Sequence, residues 1–252
     1  MLLDEQGEVL ILEIRENDNH QVSFTALDLK SGNVLWDGLE FDENWWVGMT
    51  TIVQGVLLLH IYVDNSDPEP KGLIAFDIRQ KKVCWTHNDF TYLNVQDNKV
   101  LGFKIIDQDK QYQTIDLMDG ERYDVEEAQF FQSNLSPKKD DESKLETQYP
   151  LHYKEGTSYF ETCKSYLYNR LHLQAVKAIE YLEVNNRIII SYYTGDDNTL
   201  VNYLLVMDSE GEILYNEIIQ GNINAVGLET FFIVKNQVIF VKEKNEIFSY
   251  NL

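Results

Sequence analysis

The densest chemistry in this chain sits in five adjacent residues, Asp42-Glu43-Asn44-Trp45-Trp46. Two carboxylates stand beside two indoles. Paired carboxylates facing a cleft, about 5–10 Å apart, can cleave glycosides by dividing acid and nucleophile or base roles. Exposed indoles recognise sugars, peptides or cations through their flat faces. Neighbouring strand residues point to opposite sides, so one shared core cannot bury both Trp side chains. The alternative is that both pack, one between sheets and one on an inner face. Asp42, Glu43, Trp45 and Trp46 are therefore the candidate binding residues, and catalytic residues stay unassigned. Glu180 joins Asp42 and Glu43 as an acidic residue near the start of an inner strand, where a solvated or structural role competes with catalysis.

Other chemistries find little support. His20, His60, His87, His152 and His172 show no ligand spacing such as His-x-x-x-His. His60 reads as a satisfied interior residue. Two cysteines, Cys84 and Cys163, are too few for a disulfide framework or a cysteine zinc site. Cys84 lies in an apolar phrase and reads as a small buried hydrophobe. Asp196-Asp197-Asn198 lacks the further ligands of a calcium loop and reads as a turn. No Gly-rich phosphate loop or Gly-x-Ser-x-Gly elbow occurs. The sequence implies neither cofactor nor metal.

The elements that must position these residues are announced by a repeated phrase. Val22 to Trp36 and Gly72 to Trp85 each hold an alternating strand that ends at an Asp, a polar turn, and a second strand reaching a Trp. Echoes run from Gln113 to Tyr123 and from Leu204 to Tyr215, and a fifth begins at Glu246. A polar turn and an apolar run precede each phrase, with the first apolar residue at 9, 56, 100, 188 and 238. The intervals are 47, 44, 88 and 50. Each unit reads as four strands, A to D, with C ending at 28, 77, 116, 208 and 251. Four short strands per unit of about 45 residues predict a β-propeller. Recurrence of the Asp at one structural position predicts turn capping, and recurrence of the Trp predicts packing between neighbouring units.

The pattern Ala26-x-Asp28-x-x-x-Gly32-x-x-x-Trp36, echoed from Ala75-x-Asp77 to Trp85, resembles the repeats of quinoprotein-like propellers of the PQQ or WD type. These include outer-membrane assembly lipoproteins and quinone-dependent alcohol dehydrogenases. The resemblance implies the propeller fold. It does not extend to the quinone enzymes' chemistry, which goes with export, calcium and often a vicinal disulfide. The chain also resembles an uncharacterised bacterial family known as a domain of unknown function, most clearly from Asn17 to Trp46 and at Gly72-Leu73-Ile74-Ala75. That resemblance implies no activity. In propellers, connections from strand D to the next strand A line one mouth of the central channel, and residues 42–46 fall on such a connection.

The expected architecture is an all-β, five-bladed β-propeller forming a single domain over 1–252, with 124–175 as a helix-containing insertion. A sixth blade there is the alternative. The charged run Ser136 to Lys144 predicts mobility over roughly 132–148. The three- and four-residue steps among Tyr159, Phe160, Cys163, Tyr166, Leu167 and Leu171 predict a helix over 157–171, outside the ring and capped by Thr157 or Ser158. Residues 246–252 are expected to form an edge strand beside the first blade, with 1–6 continuing strand A into the same seam. The ring then closes with a three-stranded blade, or the natural chain begins further upstream.

The chain has 252 residues and 44% hydrophobic content, enough for a sizeable core, and a net charge of −21. Such a surface repels nucleic acid and anionic lipid. No basic, apolar leader opens the chain, and no apolar run approaches membrane-spanning length. These features predict a cytoplasmic protein, a monomer or weak dimer. Its partner is a protein, a small molecule or a saccharide, and not nucleic acid or a membrane. The functional expectation is a noncatalytic binding or scaffold propeller, with a carbohydrate-active enzyme of the glycosidase or lyase class as the alternative.

Overall fold

The structure is a computed structural model that describes residues 1–62, 71–127, 147–196 and 199–252. The chain divides into two compact units, 1–144 and 145–252. The first unit holds three four-stranded antiparallel sheets, each a simple meander. Their strands are β1 (Leu2–Leu3), β2 (Val9–Glu16), β3 (Gln21–Asp28) and β4 (Asn33–Leu39); β5 (Val47–Val53), β6 (Val56–Ile61), β7 (Gly72–Asp77) and β8 (Lys82–His87); and β9 (Thr91–Gln96), β10 (Lys99–Ile106), β11 (Asp109–Asp116) and β12 (Arg122–Asp124).

The second unit begins with two short strands, β13 (Thr147–Gln148) and β14 (Leu151–Lys154), followed by helix α1 (Ser158–Leu171). Then come β15 (Val176–Val184), β16 (Arg187–Gly195), β17 (Leu200–Asp208), β18 (Ile213–Ile223), β19 (Phe231–Val234), β20 (Gln237–Lys242) and β21 (Glu246–Asn251). They form a five-stranded sheet, β14-β15-β16-β17-β18, and a four-stranded sheet, β13-β19-β20-β21.

Local chemistry explains the strand ends. The third strand of each repeat ends at Asp28, Asp77, Asp116, Asp208 or Asn251. Asp28 Oδ1 accepts from Ser31 N at 2.8 Å and Asp77 Oδ1 from Gln80 N at 2.7 Å. Asp116 Oδ1 accepts from Met118 N, and Asp208 Oδ1 from Glu210 N and Glu212 N. These carboxylates cap turns, as their repetition predicts. The tight turns before the second strands take left-handed backbone at Gln54 and Gly55, at Asp97 and Asn98, and at Asn185 and Asn186. The next N–H then ties back: Leu29 N donates to Glu8 O, Ile78 N to Gly55 O, Leu117 N to Asn98 O and Leu252 N to Asn236 O.

Burial follows strand position. In β6 and β7, Val56, Leu57, Leu58, Leu59, Leu73, Ala75 and Phe76 are buried, because both sheet faces are covered. In the edge strands β4 and β8 the aromatic is the one buried side chain. Trp36 donates its indole N–H to Ile78 O at 2.9 Å, and Trp85 donates to Leu117 O at 2.9 Å. Each indole thus bridges its own sheet to the next. Cys84, in contrast to expectation, is exposed. It precedes Trp85 on an edge strand, so its side chain falls on the face that no neighbour covers.

In the second unit, α1 lies against one face of the five-stranded sheet: Phe160 and Leu167 pack with Ile179, Ile190, Tyr192 and Leu205. Phe231, Ile233, Val238 and Phe240 of the last sheet pack with Ile189, Leu204 and Val206 on the other face. The helix forms where its sequence pattern places it, with Thr157 as N-cap. Its partner surface is a sheet face. Of residues 132–148, those up to 146 lie outside the described residues, and 147–148 form β13. Among the described residues of 124–175 the strands join other sheets rather than making one of their own. β21 is an edge strand, but Leu2 and Leu3 pair with Ile11 and Leu10, and the fourth strand of the last sheet is β13. Among the described residues no helix is long and apolar enough to cross a membrane.

Candidate functional site

The 42–46 segment is the connection between β4 and β5, which is a strand D to strand A passage. Its backbone is fixed from several sides. Glu43 Oε1 accepts from Trp45 N at 3.0 Å and Trp46 N at 2.8 Å. Arg15, near the end of β2, donates to Trp45 O at 2.9 Å and Val47 O at 2.7 Å. Val22 N donates to Asn44 O, and Tyr62 N donates to Trp46 O. Glu13 holds Arg15 through Nε at 2.6 Å and also accepts from Met49 N. The corner is thus sewn to the ends of β2, β3 and β6.

The two indoles differ in exposure, although they lie in a bend just before β5 rather than on a strand where alternation would separate them. Trp45 is half-buried, with the Arg15 guanidinium 5.3 Å from its ring centre and His20 meeting it edge-on at 5.1 Å. Trp46 is 41% exposed and meets Tyr62 edge-on at 6.5 Å. Tyr62 in turn meets His60 at 5.1 Å. His60 Nδ1 pairs with Thr50 Oγ1 at 2.9 Å. Burial, aided by Arg15 and opposed by Glu13, holds the imidazole below its ordinary pKa, so it is neutral at pH 7. A Cβ on Gly48 would lie 2.8 Å from His60 Nε2, so a bare backbone there lets the ring lie across β5. The product is a shelf of Trp46, Tyr62 and His60; Asp42, earlier in the same connection, is exposed.

Glu180 occupies a different setting, in the second unit. It lies on β15, paired with His152 of the neighbouring β14, and is 1% exposed. Its Oε1 accepts from Glu229 N at 2.5 Å, and its Oε2 accepts from Thr230 N at 2.9 Å and Thr230 Oγ1 at 2.6 Å. Thr230 Oγ1 also reaches Ser191 Oγ, which accepts from Asn202 Nδ2. Gly227 N donates to the Tyr193 hydroxyl at 2.8 Å. This network anchors the 224–230 connection. His152 Nδ1 lies 3.9 Å from Glu180 Oε1, beyond hydrogen-bond reach, and has no hydrogen-bond partner among the described residues. Glu180 is fully committed to loop donors, so it positions a loop and is not free to take a substrate proton. Sequence reasoning missed Ser191, Asn202 and Thr230, and weighed His152 only as a metal ligand. The legible signal was a polar residue inside each of two apolar runs, at Ser191 and Asn202.

Among the described residues no group of three or more His, Cys, Asp or Glu side chains is gathered to hold a metal ion. Asp197 and Asn198 lie outside the described residues.

Residues 3–85, which span the first two sheets and the 42–46 corner, match a family model described as a domain of unknown function (DUF4905). No curated protein matches the sequence. Among solved structures the chain is similar to the β-propeller domain of the Trilobed protease from Pyrococcus furiosus, at 12% identity and a TM-score of 0.35, over 99% of this chain and 78% of that one. It is also similar to the tricorn protease, at 8% and 0.31, over 98% of this chain and 30% of that one. AtxE2 isopeptidase is similar at 8% and 0.33, over 99% of this chain and 50% of that one. The chain therefore spans at most half the length of the last two.

Proposed function

We propose that the five sheets are the blades of one β-propeller, and that this propeller binds a ligand at the 42–46 corner without transforming it. The ligand class that suits the corner has a flat apolar face and neutral hydroxyls, as a saccharide does. The observation that carries this reading is Trp46, exposed on a backbone whose neighbouring N–H and C=O groups are already bonded. An aromatic held in place before binding loses little freedom on association. The neutral His60 and the acidic surroundings disfavour an anionic ligand.

A carbohydrate-active enzyme would need two carboxylates free to act on one bond. Glu43 spends Oε1 on the loop backbone, and Glu180 is buried with both oxygens bonded to residues 229–230. Binding is therefore the preferred reading.

Cellohexaose, xylohexaose and chitohexaose, titrated against intrinsic fluorescence and by calorimetry, test it. Trp46→Ala should abolish the response while stability stays within about 0.5 kcal/mol of the parent. Trp45→Ala should lower stability by about 1–3 kcal/mol through lost packing on His20 and Arg15. Absence of saturation with all three sugars overturns the saccharide reading. An unchanged affinity in Trp46→Ala overturns the site.

A further inference from the structure

A second concave site lies in the other unit, between α1 and the five-stranded sheet. Its volume is about 550 Å³, within the range of small-molecule pockets. Four tyrosines line it, Tyr153, Tyr159, Tyr166 and Tyr181, and two carboxylates, Glu183 and Glu210. Ile188, Ile190 and Met207 form an apolar floor. Among the described residues no lysine, arginine or histidine lines it.

We propose that this cavity binds a compact organic cation bearing alkyl groups, a quaternary ammonium being the simplest case. The ring of Tyr153 stacks on that of Tyr159 at 5.2 Å and approaches that of Tyr181 at 6.2 Å, so three π-systems are gathered at one wall. Ring faces attract a cation, most strongly where water is excluded. Alkyl groups on nitrogen meet the Ile and Met floor and leave no N–H donor unsatisfied. That favours an alkylated ammonium over a primary amine.

The polar atoms fit the same charge. The Tyr181 hydroxyl donates to Glu183, and the Tyr166 hydroxyl donates to Met207 Sδ at 3.1 Å. Those two donors are spent within the wall and do not face an incoming anion. Burial, reinforced at Tyr181 by Glu183, keeps the Tyr153 and Tyr181 phenols protonated. The negative charge of the site then comes from Glu183 and Glu210. The acidic surface of the whole chain raises the local concentration of cations.

Cys163 also lines the cavity and supplies a readout. It is half-buried, and burial pushes its thiol up, so alkylation belongs at mildly alkaline pH. The background is Cys84→Ser, which removes the exposed thiol. Choline is the probe, and 3,3-dimethyl-1-butanol is its uncharged counterpart of the same shape. Choline should bind by calorimetry and slow the reaction of Cys163 with iodoacetamide; the alcohol should do neither at equal concentration. Glu183→Gln keeps an acceptor for Tyr181 and should weaken choline roughly tenfold, as should Tyr159→Leu at an exposed ring. Equal protection by choline and the alcohol overturns the proposal. So does choline binding that Glu183→Gln leaves unchanged, or no choline binding through the millimolar range.

Discussion

At the residue scale, the recurring side chains are engaged in holding the chain together. Asp28 and Asp116 show this. Backbone N–H groups of Ser31 and Met118, chiefly, hold their carboxyls below the ordinary carboxylate range. A folded pKa below the unfolded value means stability that is present above about pH 3.9 and lost as pH falls through the folded pKa. Asp116→Ala should therefore lower Tm at neutral pH and flatten the acid limb of the Tm–pH curve. Asp116→Asn, which keeps one acceptor oxygen, should lose less. An acid limb of unchanged slope in Asp116→Ala would refute the assignment. Trp85 shows the same: its N–H bonds Leu117 O, and Gly120, at a φ of +76°, presses so close that an added Cβ would lie 2.5 Å from the indole. Trp85→Phe strands a buried carbonyl and should cost about 1–3 kcal/mol in denaturant unfolding.

At the element scale, what was legible was whatever repeats. The ends of β3, β7, β11 and β17 follow from one Asp position, because a turn-capping side chain must stand at the same place each time. β13 and β14 were not legible. Two and four residues on either side of Pro150 are too short to show alternation, and their pairing with β19 and β15 is decided by distant edges. Glu180 was seen as acidic but not as buried, since its donors come from residues 49 and 50 positions away. Cys84 misled because an apolar neighbourhood along the strand says nothing of an uncovered face. The helix was legible from its three-four step, and its importance follows from burial. Phe160 and Leu167 are both fully buried against the sheet. Phe160→Ala should cost about 3–5 kcal/mol and Leu167→Ala about 2–5 kcal/mol. If denaturant midpoints of both stay at the parent value, α1 is an ornament and not part of the core.

At the scale of the whole molecule, charge sets the terms on which all of these groups act. With 42 acidic and 21 basic side chains, the folded chain repels itself at pH 7. Surface pairs such as Lys242 with Glu217, at 2.8 Å, offset little of this because solvent screens them. Raising NaCl from about 0.01 M to about 0.15 M shortens the screening length from about 30 Å to about 8 Å. Repulsion summed over the surface then weakens more than the few short-range pairs do, and Tm should rise by about 2–5 °C. The gain should shrink as pH approaches the sequence pI of about 4.5, where the net charge vanishes. Below that pH the capped aspartates begin to protonate in the unfolded chain, so Tm should fall whatever the salt. The two effects move Tm in opposite directions with pH, which places the maximum on the acid side of neutrality. A Tm at pH 7 that is flat or falling with salt, or a salt gain as large at pH 4.5 as at pH 7, would show that self-repulsion does not govern this fold.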